Sequence, residues 1–146
     1  MIVFISCTAK KKHYQCKAKE MYSESTWFRH AFRYAKYITG GGGNIYILSA
    51  KYGLLEPDKI ISPYNQTLHA AKVSSIRSWS KTVYRQMIEN HINFNDQAMF
   101  LCGKNYRRFL MPLFKKASAP LSHMGIGKQV SWLKQHEEDS LTFGRG

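Results

Sequence analysis

Three short apolar runs, rich in β-branched and aromatic residues, alternate along this chain with stretches of helical periodicity. The runs cover Met1 to Ser6, Ile45 to Leu48 and Ala98 to Cys102. Runs of this length and composition are typical of strands that are buried on both faces of a parallel sheet. Because strand and helix alternate, we expect an α/β fold, a three-layer sandwich with a mainly parallel central sheet and right-handed crossovers.

Helical periodicity predicts the segments that join and follow these strands. Ser25 is a suitable N-cap for a first helix, which ends at a run of glycines. A second helix is predicted over 73–90, a third is kinked by Pro112, and a last helix covers 128–136. No internal repeat or break in composition divides the chain, so we expect a single domain over residues 1–146.

The charge balance bears most directly on function. Lysine and arginine number 22 against 9 acidic residues, which gives a formal net charge of +13. A surplus of this size favours an anionic partner, most often nucleic acid, over a merely basic soluble protein. An acidic membrane surface is the weaker alternative, because no basic amphipathic helix stands out.

The N-terminal segment and the cysteines indicate the compartment. No apolar run approaches the roughly 20 residues that a bilayer span needs. The first charges follow the apolar run instead of preceding it, which is the wrong polarity for a signal peptide. Three cysteines at unpatterned spacing favour free thiols in a reducing compartment. We therefore expect a cytoplasmic protein, at no membrane, without a cofactor. The sequence leaves the oligomeric state open, and a monomer is assumed.

Metal binding and thiol chemistry are the alternative interpretations of the first loop. Cys7, His13 and Cys16 are potential ligands, but their spacing matches no zinc pattern, so we expect no metal site. A Cys7 thiol beside lysines at a strand end would be an activated nucleophile, although a small buried residue is the simpler interpretation.

The segment Ile45 to Leu68 opens with the second strand and continues directly as the longest irregular passage of the chain. Gly53, Pro57 and Pro63 punctuate it, so we expect no regular helix or strand within it after residue 48. Long irregular segments in small domains are usually functional, and ligands of open α/β sheets lie at the carboxyl ends of the strands. This passage is therefore predicted to build the site.

The loops that follow the first two strands are expected to meet, because adjacent parallel strands lie about 4.8 Å apart. Lysines there would hold phosphates, tyrosines would stack on an extruded base, and a carboxylate or amide would orient a water molecule. The structural alternative places the tyrosines in the core and makes Asp58 a turn cap. The candidate substrate-binding residues are Ser6, Cys7, Ser49, Lys51, Tyr52, Tyr64 and His123, and the candidate nucleic-acid-binding residues are Lys10, Lys11, Lys12, Lys104 and Arg107.

Three segments of the chain resemble a family of small bacterial and phage domains of unknown function, of the DUF6884 type. They are ISCTAKKK, LSAKYGLLEPDKIISPYNQTL and APLSHMGIGKQVSWL. This group is similar to the YaaA-like DNA-binding proteins and, in fold, to the uracil-DNA glycosylases. The resemblance implies DNA as the partner, including modified phage DNA. It also implies an N-glycosylase that flips out and excises a modified base, with a role in anti-phage defence.

The chain departs from the uracil-DNA glycosylases at their motifs, since it lacks both Gly-Gln-Asp-Pro-Tyr and His-Pro-Ser. If the chemistry is shared, Asp58 or Asn65 would position the water molecule as the catalytic residue, and Tyr52 or Tyr64 would stack on the base. RNA stays open as a partner. A non-catalytic DNA-binding module and a nucleotide-handling enzyme are the alternative functions.

Overall fold

The computed structural model describes residues 1–41 and 43–145, with side chains described as far as residue 137. In chain order the elements are β1 (Ile2–Ser6), β2 (Cys16–Lys17), α1 (Ala18–Met21), α2 (Thr26–Ile38), β3 (Ile45–Ser49), β4 (Gly53–Leu55), β5 (Ile60–Ile61), α3 (Val73–Glu89), β6 (Gln97–Leu101), α4 (Lys104–Arg107), β7 (Lys116–Ser118) and α5 (Ile126–Arg145), with a 3-10 turn at Met111–Leu113 before β7.

The central sheet has the strand order β4-β3-β1-β6-β7. β1 lies in the middle and is parallel to both neighbours, with Ser6 opposite Leu48 and Ile5 opposite Leu101. β7 adds to β6 in parallel, whereas β4 is antiparallel to β3. The expected α/β fold with a mainly parallel sheet is confirmed, and the carboxyl ends of β1, β3 and β6 form one edge.

Helices cover both faces of this sheet. On one face, Val3 and Ile5 of β1 share a buried cluster with residues of α2 and with Leu133 of α5. On the other face, Phe4 of β1 packs in a cluster with residues of α3 and with Leu110, which lies just before the 3-10 turn. The arrangement is compatible with the predicted three-layer sandwich.

The helices differ from the sequence prediction in their bounds. α2 begins as expected, because Ser25 Oγ accepts a hydrogen bond from the backbone N–H of Phe28 at 3.2 Å. The single helix predicted around Pro112 is wrong. The chain forms the short α4 and a separate 3-10 turn with Pro112 inside it, which fits the missing N–H of proline. α5 is longer than predicted at both ends.

The central passage contains regular structure, so the prediction of an entirely irregular segment is wrong. Gly53, with a φ of +76°, closes the turn from β3 into β4. Gln86 of α3 fixes this hairpin from the side. Its Oε1 accepts from the N–H of Leu54 at 2.8 Å, and its Nε2 donates to the carbonyl of Tyr52 at 3.0 Å.

A second, two-stranded sheet joins the two loops that follow β1 and β3. β2 and β5 are antiparallel, with Cys16 opposite Ile61. The pairing continues beyond β2, where the N–H of Ala18 donates to Lys59 and that of Lys19 donates to Pro57. This small sheet links the lysine-rich loop to the central passage.

Among the described residues, no helix combines the length and the apolar character that a membrane crossing needs.

Candidate functional site

A cavity of about 510 Å³ opens between the loop after β1 and the central passage. We call it the lysine hollow. It is lined by residues of the loop after β1, by residues of the central passage and by Glu24. The first set is Ala9, Lys10, Lys11, Lys12 and His13, and the second is Pro63, Tyr64 and Asn65. The structure therefore brings the lysines of the first loop to Tyr64 and Asn65.

Cations dominate the hollow. The Lys11 ammonium lies over the ring of Tyr64, 4.6 Å from its centroid. Lys12 donates a hydrogen bond to Glu24 at 3.2 Å, and this bond raises the pKa of Lys12. Lys12 thus keeps its charge at neutral pH. An anion that enters would meet ammonium groups on one wall and the amide of Asn65 on the other.

Buried hydroxyl groups fix the wall that carries Tyr64. The Tyr64 hydroxyl lies 2.6 Å from that of Tyr22 and accepts a hydrogen bond from Ser49 Oγ at 2.8 Å. Ser49 Oγ in turn accepts from the N–H groups of Lys51 and Tyr52. Burial raises the pKa of both Tyr22 and Tyr64, so both hydroxyls remain neutral. Tyr64 belongs to the core and also lines the hollow. Ser49 does not line the hollow, and its hydrogen bond fixes the position of the Tyr64 hydroxyl.

Ser6 and Cys7 line a different cavity, of about 310 Å³, together with Thr8 and the N-terminal ends of α2 and α5. The Cys7 sulfur lies 3.4 Å from the hydroxyl of Tyr106. All three cysteines are free and buried. Within the described part of the chain, no group of three or more potential metal ligands comes together. The predicted single pocket at the ends of β1 and β3 is therefore divided between two cavities.

Asp58 lies outside both cavities. Its carboxylate pairs with Lys19 at 3.0 Å and with Lys17 at 3.8 Å, and its side chain is 70% exposed. The hydrogen bond from Lys19 lowers the pKa of Asp58. The turn that carries Asp58 is held against the segment after β2, which directs the carboxylate to the lysines there. Of the two predicted catalytic residues, only Asn65 lines the hollow.

The remaining candidates do not line the hollow. Tyr52 packs edge-on against Tyr64, with ring centroids 5.5 Å apart, and its hydroxyl donates to the carbonyl of Ser62. Lys51 lies over the Tyr52 ring at 5.2 Å. His123 is exposed on the turn before α5, with a φ of +71°.

The two cationic candidates on α4 lie at the carboxyl end of β6. Lys104 is exposed, whereas Arg107 is half-buried because its guanidinium donates to the carbonyl of Cys102 at 2.9 Å. Arg107 therefore has a structural contact in addition to any contact with a ligand.

Sequence analysis missed Glu24 as a site residue. It is an isolated acid just before the N-cap Ser25, and nothing in its local sequence distinguishes it from a solvated residue. The nearby run of lysines is the one available signal, because a lone carboxylate near such a run is expected to pair with it. The structure shows this pair inside the hollow.

The residues that the structure describes form an α/β domain with a mainly parallel sheet and a cationic hollow beyond its carboxyl edge. The chain belongs to DUF6884, a family of unknown function, whose model matches residues 2–135. The predicted membership is thereby confirmed. No curated protein and no solved structure matches the chain.

Proposed function

We propose that this protein binds nucleic acid through the lysine hollow. One observation carries the proposal, namely that the lysines at positions 10–12 line a cavity of about 510 Å³ together with Tyr64 and Asn65. A cavity of this size lies in the range typical of ligand sites, roughly 300–1,000 Å³. The net charge of +13 supports a polyanionic partner over a neutral metabolite.

The contacts in the hollow suggest how a nucleotide is held. Lysine ammonium groups are suited to phosphate oxygens, and an Asn65 amide can both donate to and accept from the edge of a base. The Lys11 ammonium covers the Tyr64 ring. When a phosphate draws Lys11 away, the ring becomes available for stacking on the base. Phosphate binding and base binding are thus coupled through one side chain.

The test is equilibrium binding of a fluorescein-labelled twelve-residue thymidine oligonucleotide at a series of salt concentrations. Contacts from the three lysines predict that the logarithm of the affinity falls with the logarithm of salt concentration with a slope of about −2 or steeper. Affinity that is independent of salt contradicts the proposal. Tight binding of a free nucleotide with weak oligonucleotide binding would instead indicate a nucleotide-handling enzyme.

A second candidate function, an N-glycosylase, is favoured by the carboxylate of Glu24 in the same hollow. In this reaction the bond between C1′ and the base nitrogen breaks, and the base leaves with the electron pair and takes up a proton from the solvent. Water adds to C1′ and gives a proton to Glu24. Asn65 would orient the water, and Lys12 would hold Glu24 in place. We also propose that the chain is distantly related to the uracil-DNA glycosylases and the YaaA-like proteins. The position of the site at the carboxyl edge of the sheet supports this relationship.

For the glycosylase candidate we expect abasic sites in DNA that carries glucosylated hydroxymethylcytosine, hydroxymethylcytosine or uracil. Glu24→Gln should abolish base release and keep oligonucleotide affinity within about threefold, because the substitution removes only the proton acceptor. Asp58→Asn serves as the matched control and should retain activity, since Asp58 is exposed outside the hollow. If none of the three DNAs loses a base, the glycosylase candidate fails and the binding proposal still stands.

A further inference from the structure

A smaller cleft of about 170 Å³ lies on the other face of the sheet, between α3 and the segment that follows α4. We call it the α3 cleft. It is lined by Arg77, Ser80, Lys81 and Tyr84 from α3 and by Phe109 and Leu113 from the opposite side. The predicted site and the lysine hollow include none of these residues.

Ser80 is the residue of the cleft that points most directly to a ligand. The side chain is 5% exposed, and its hydroxyl is buried without a hydrogen-bond partner among the described residues. A serine within a helix commonly donates to the carbonyl four residues earlier, and buried hydroxyls are nearly always paired. Because Ser80 lines the cleft, rotation about its χ1 can turn the hydroxyl from this buried position to a bound molecule.

The positive charges of the cleft favour an anionic partner. The Arg77 guanidinium lies 4.4 Å from the centroid of the Phe109 ring, and Arg108 approaches the same ring at 5.2 Å. Arg77 and Lys81 are both exposed, and none of the described residues that line the cleft is acidic. A cation over an aromatic ring is also the arrangement that Lys11 and Tyr64 make in the lysine hollow.

We propose that the α3 cleft binds one further nucleotide of a single-stranded nucleic acid, an inference that depends on the proposed nucleic-acid binding. A cleft of about 170 Å³ has room for one base but leaves the sugar and phosphate outside. The base lies between Tyr84, which is 40% exposed, and Phe109. The Ser80 hydroxyl bonds to the base edge, and Arg77 and Lys81 contact the phosphates.

The main test combines two measurements on Ser80→Ala. Loss of one hydrogen bond to the base should weaken binding of the labelled thymidine oligonucleotide about fivefold. Removal of an unpaired buried hydroxyl should at the same time raise the urea midpoint of unfolding. The control is Ser78→Ala, an exposed serine on the same helix, which should keep wild-type affinity and raise the midpoint only by the helix propensity that alanine adds at both positions. Unchanged oligonucleotide affinity in Ser80→Ala overturns the proposal.

A second pair of variants tests the charges. Arg77→Gln with Lys81→Gln should make the salt slope shallower by about 1.4, whereas Lys72→Gln with Arg85→Gln on the same helix should make little difference. Binding of an acidic Glu-Tyr copolymer that depends on Ser80, without such dependence for the oligonucleotide, would assign the cleft to a protein partner and overturn the inference.

The two nucleotide sites can fail separately. If glutamine at positions 10–12 abolishes binding while the cleft variants keep wild-type affinity, the cleft inference is overturned and the lysine hollow stands. The reverse pattern overturns the proposed role of the hollow and leaves the cleft as the binding site.

Discussion

Replacing Lys10, Lys11 and Lys12 by glutamine is expected to weaken binding of a single-stranded oligonucleotide roughly 50-fold at physiological salt. Each lysine that contacts a phosphate releases counterions, and loss of three contacts removes about 2 units from the salt slope. Glutamine keeps much of the length and polarity of the side chain, so the shape of the hollow is largely preserved. The measurement is the affinity of the labelled thymidine oligonucleotide at several salt concentrations.

The matched control changes the net charge equally at the opposite edge of the sheet. Lys36 lies in the last turn of α2, and Lys115 and Lys116 lie at the beginning of β7, where all three are exposed. Their replacement by glutamine should reduce affinity by about threefold or less, because only the long-range field changes. Equal losses in the two triple variants would show that net charge alone drives binding and that the hollow is not the site.

Gly53→Ala is expected to lower the free energy of unfolding by roughly 3 kcal/mol. The φ of +76° is unfavourable for alanine, and a Cβ at this position would collide with Oε1 of Gln86. Gln86 would have to move and give up its hydrogen bonds to Leu54 and Tyr52. Urea denaturation followed by tryptophan fluorescence measures the loss.

Two further variants separate the backbone from the side-chain contribution. In a Gln86→Ala background, Gly53→Ala should cost only about 1–2 kcal/mol, because the collision is gone and the unfavourable φ remains. Gly43→Ala is the control at a turn glycine without a positive φ, with no atom within 4 Å of the added Cβ, and should leave stability almost unchanged. Equal losses for Gly53→Ala with and without Gln86 would contradict the proposed contact.

The parallel core of the sheet could be predicted from the sequence because each of its strands is a continuous apolar run. β1, β3 and β6 are buried on both faces, and burial of that kind is visible in composition. The short strands were not predictable in the same way. β4 depends on a glutamine of α3, and β2 pairs with β5 across more than 40 residues of chain. Such contacts leave no periodic pattern.

The candidate site was predictable for the lysine run in the loop after β1 and not where pairing partners decide the position of a residue. Lys10, Lys11 and Lys12 follow β1 and do reach the hollow, as does Asn65. Asp58 was expected to join them, but its ion pair with Lys19 holds it at the surface. Glu24 was missed for the converse reason, since its pairing with Lys12 places an isolated acid inside the hollow.

The pairing of β2 with β5 also restricts how the length of this chain can vary. Cys16 and Ile61 face each other and both lie in the core. One residue added or removed within the paired segments 16–19 or 57–61 would shift that register, and a shift by one place turns every side chain of a strand to its other side. The paired segments beside the hollow are therefore restricted in length, whereas the turns outside the two sheets are not restricted in this way.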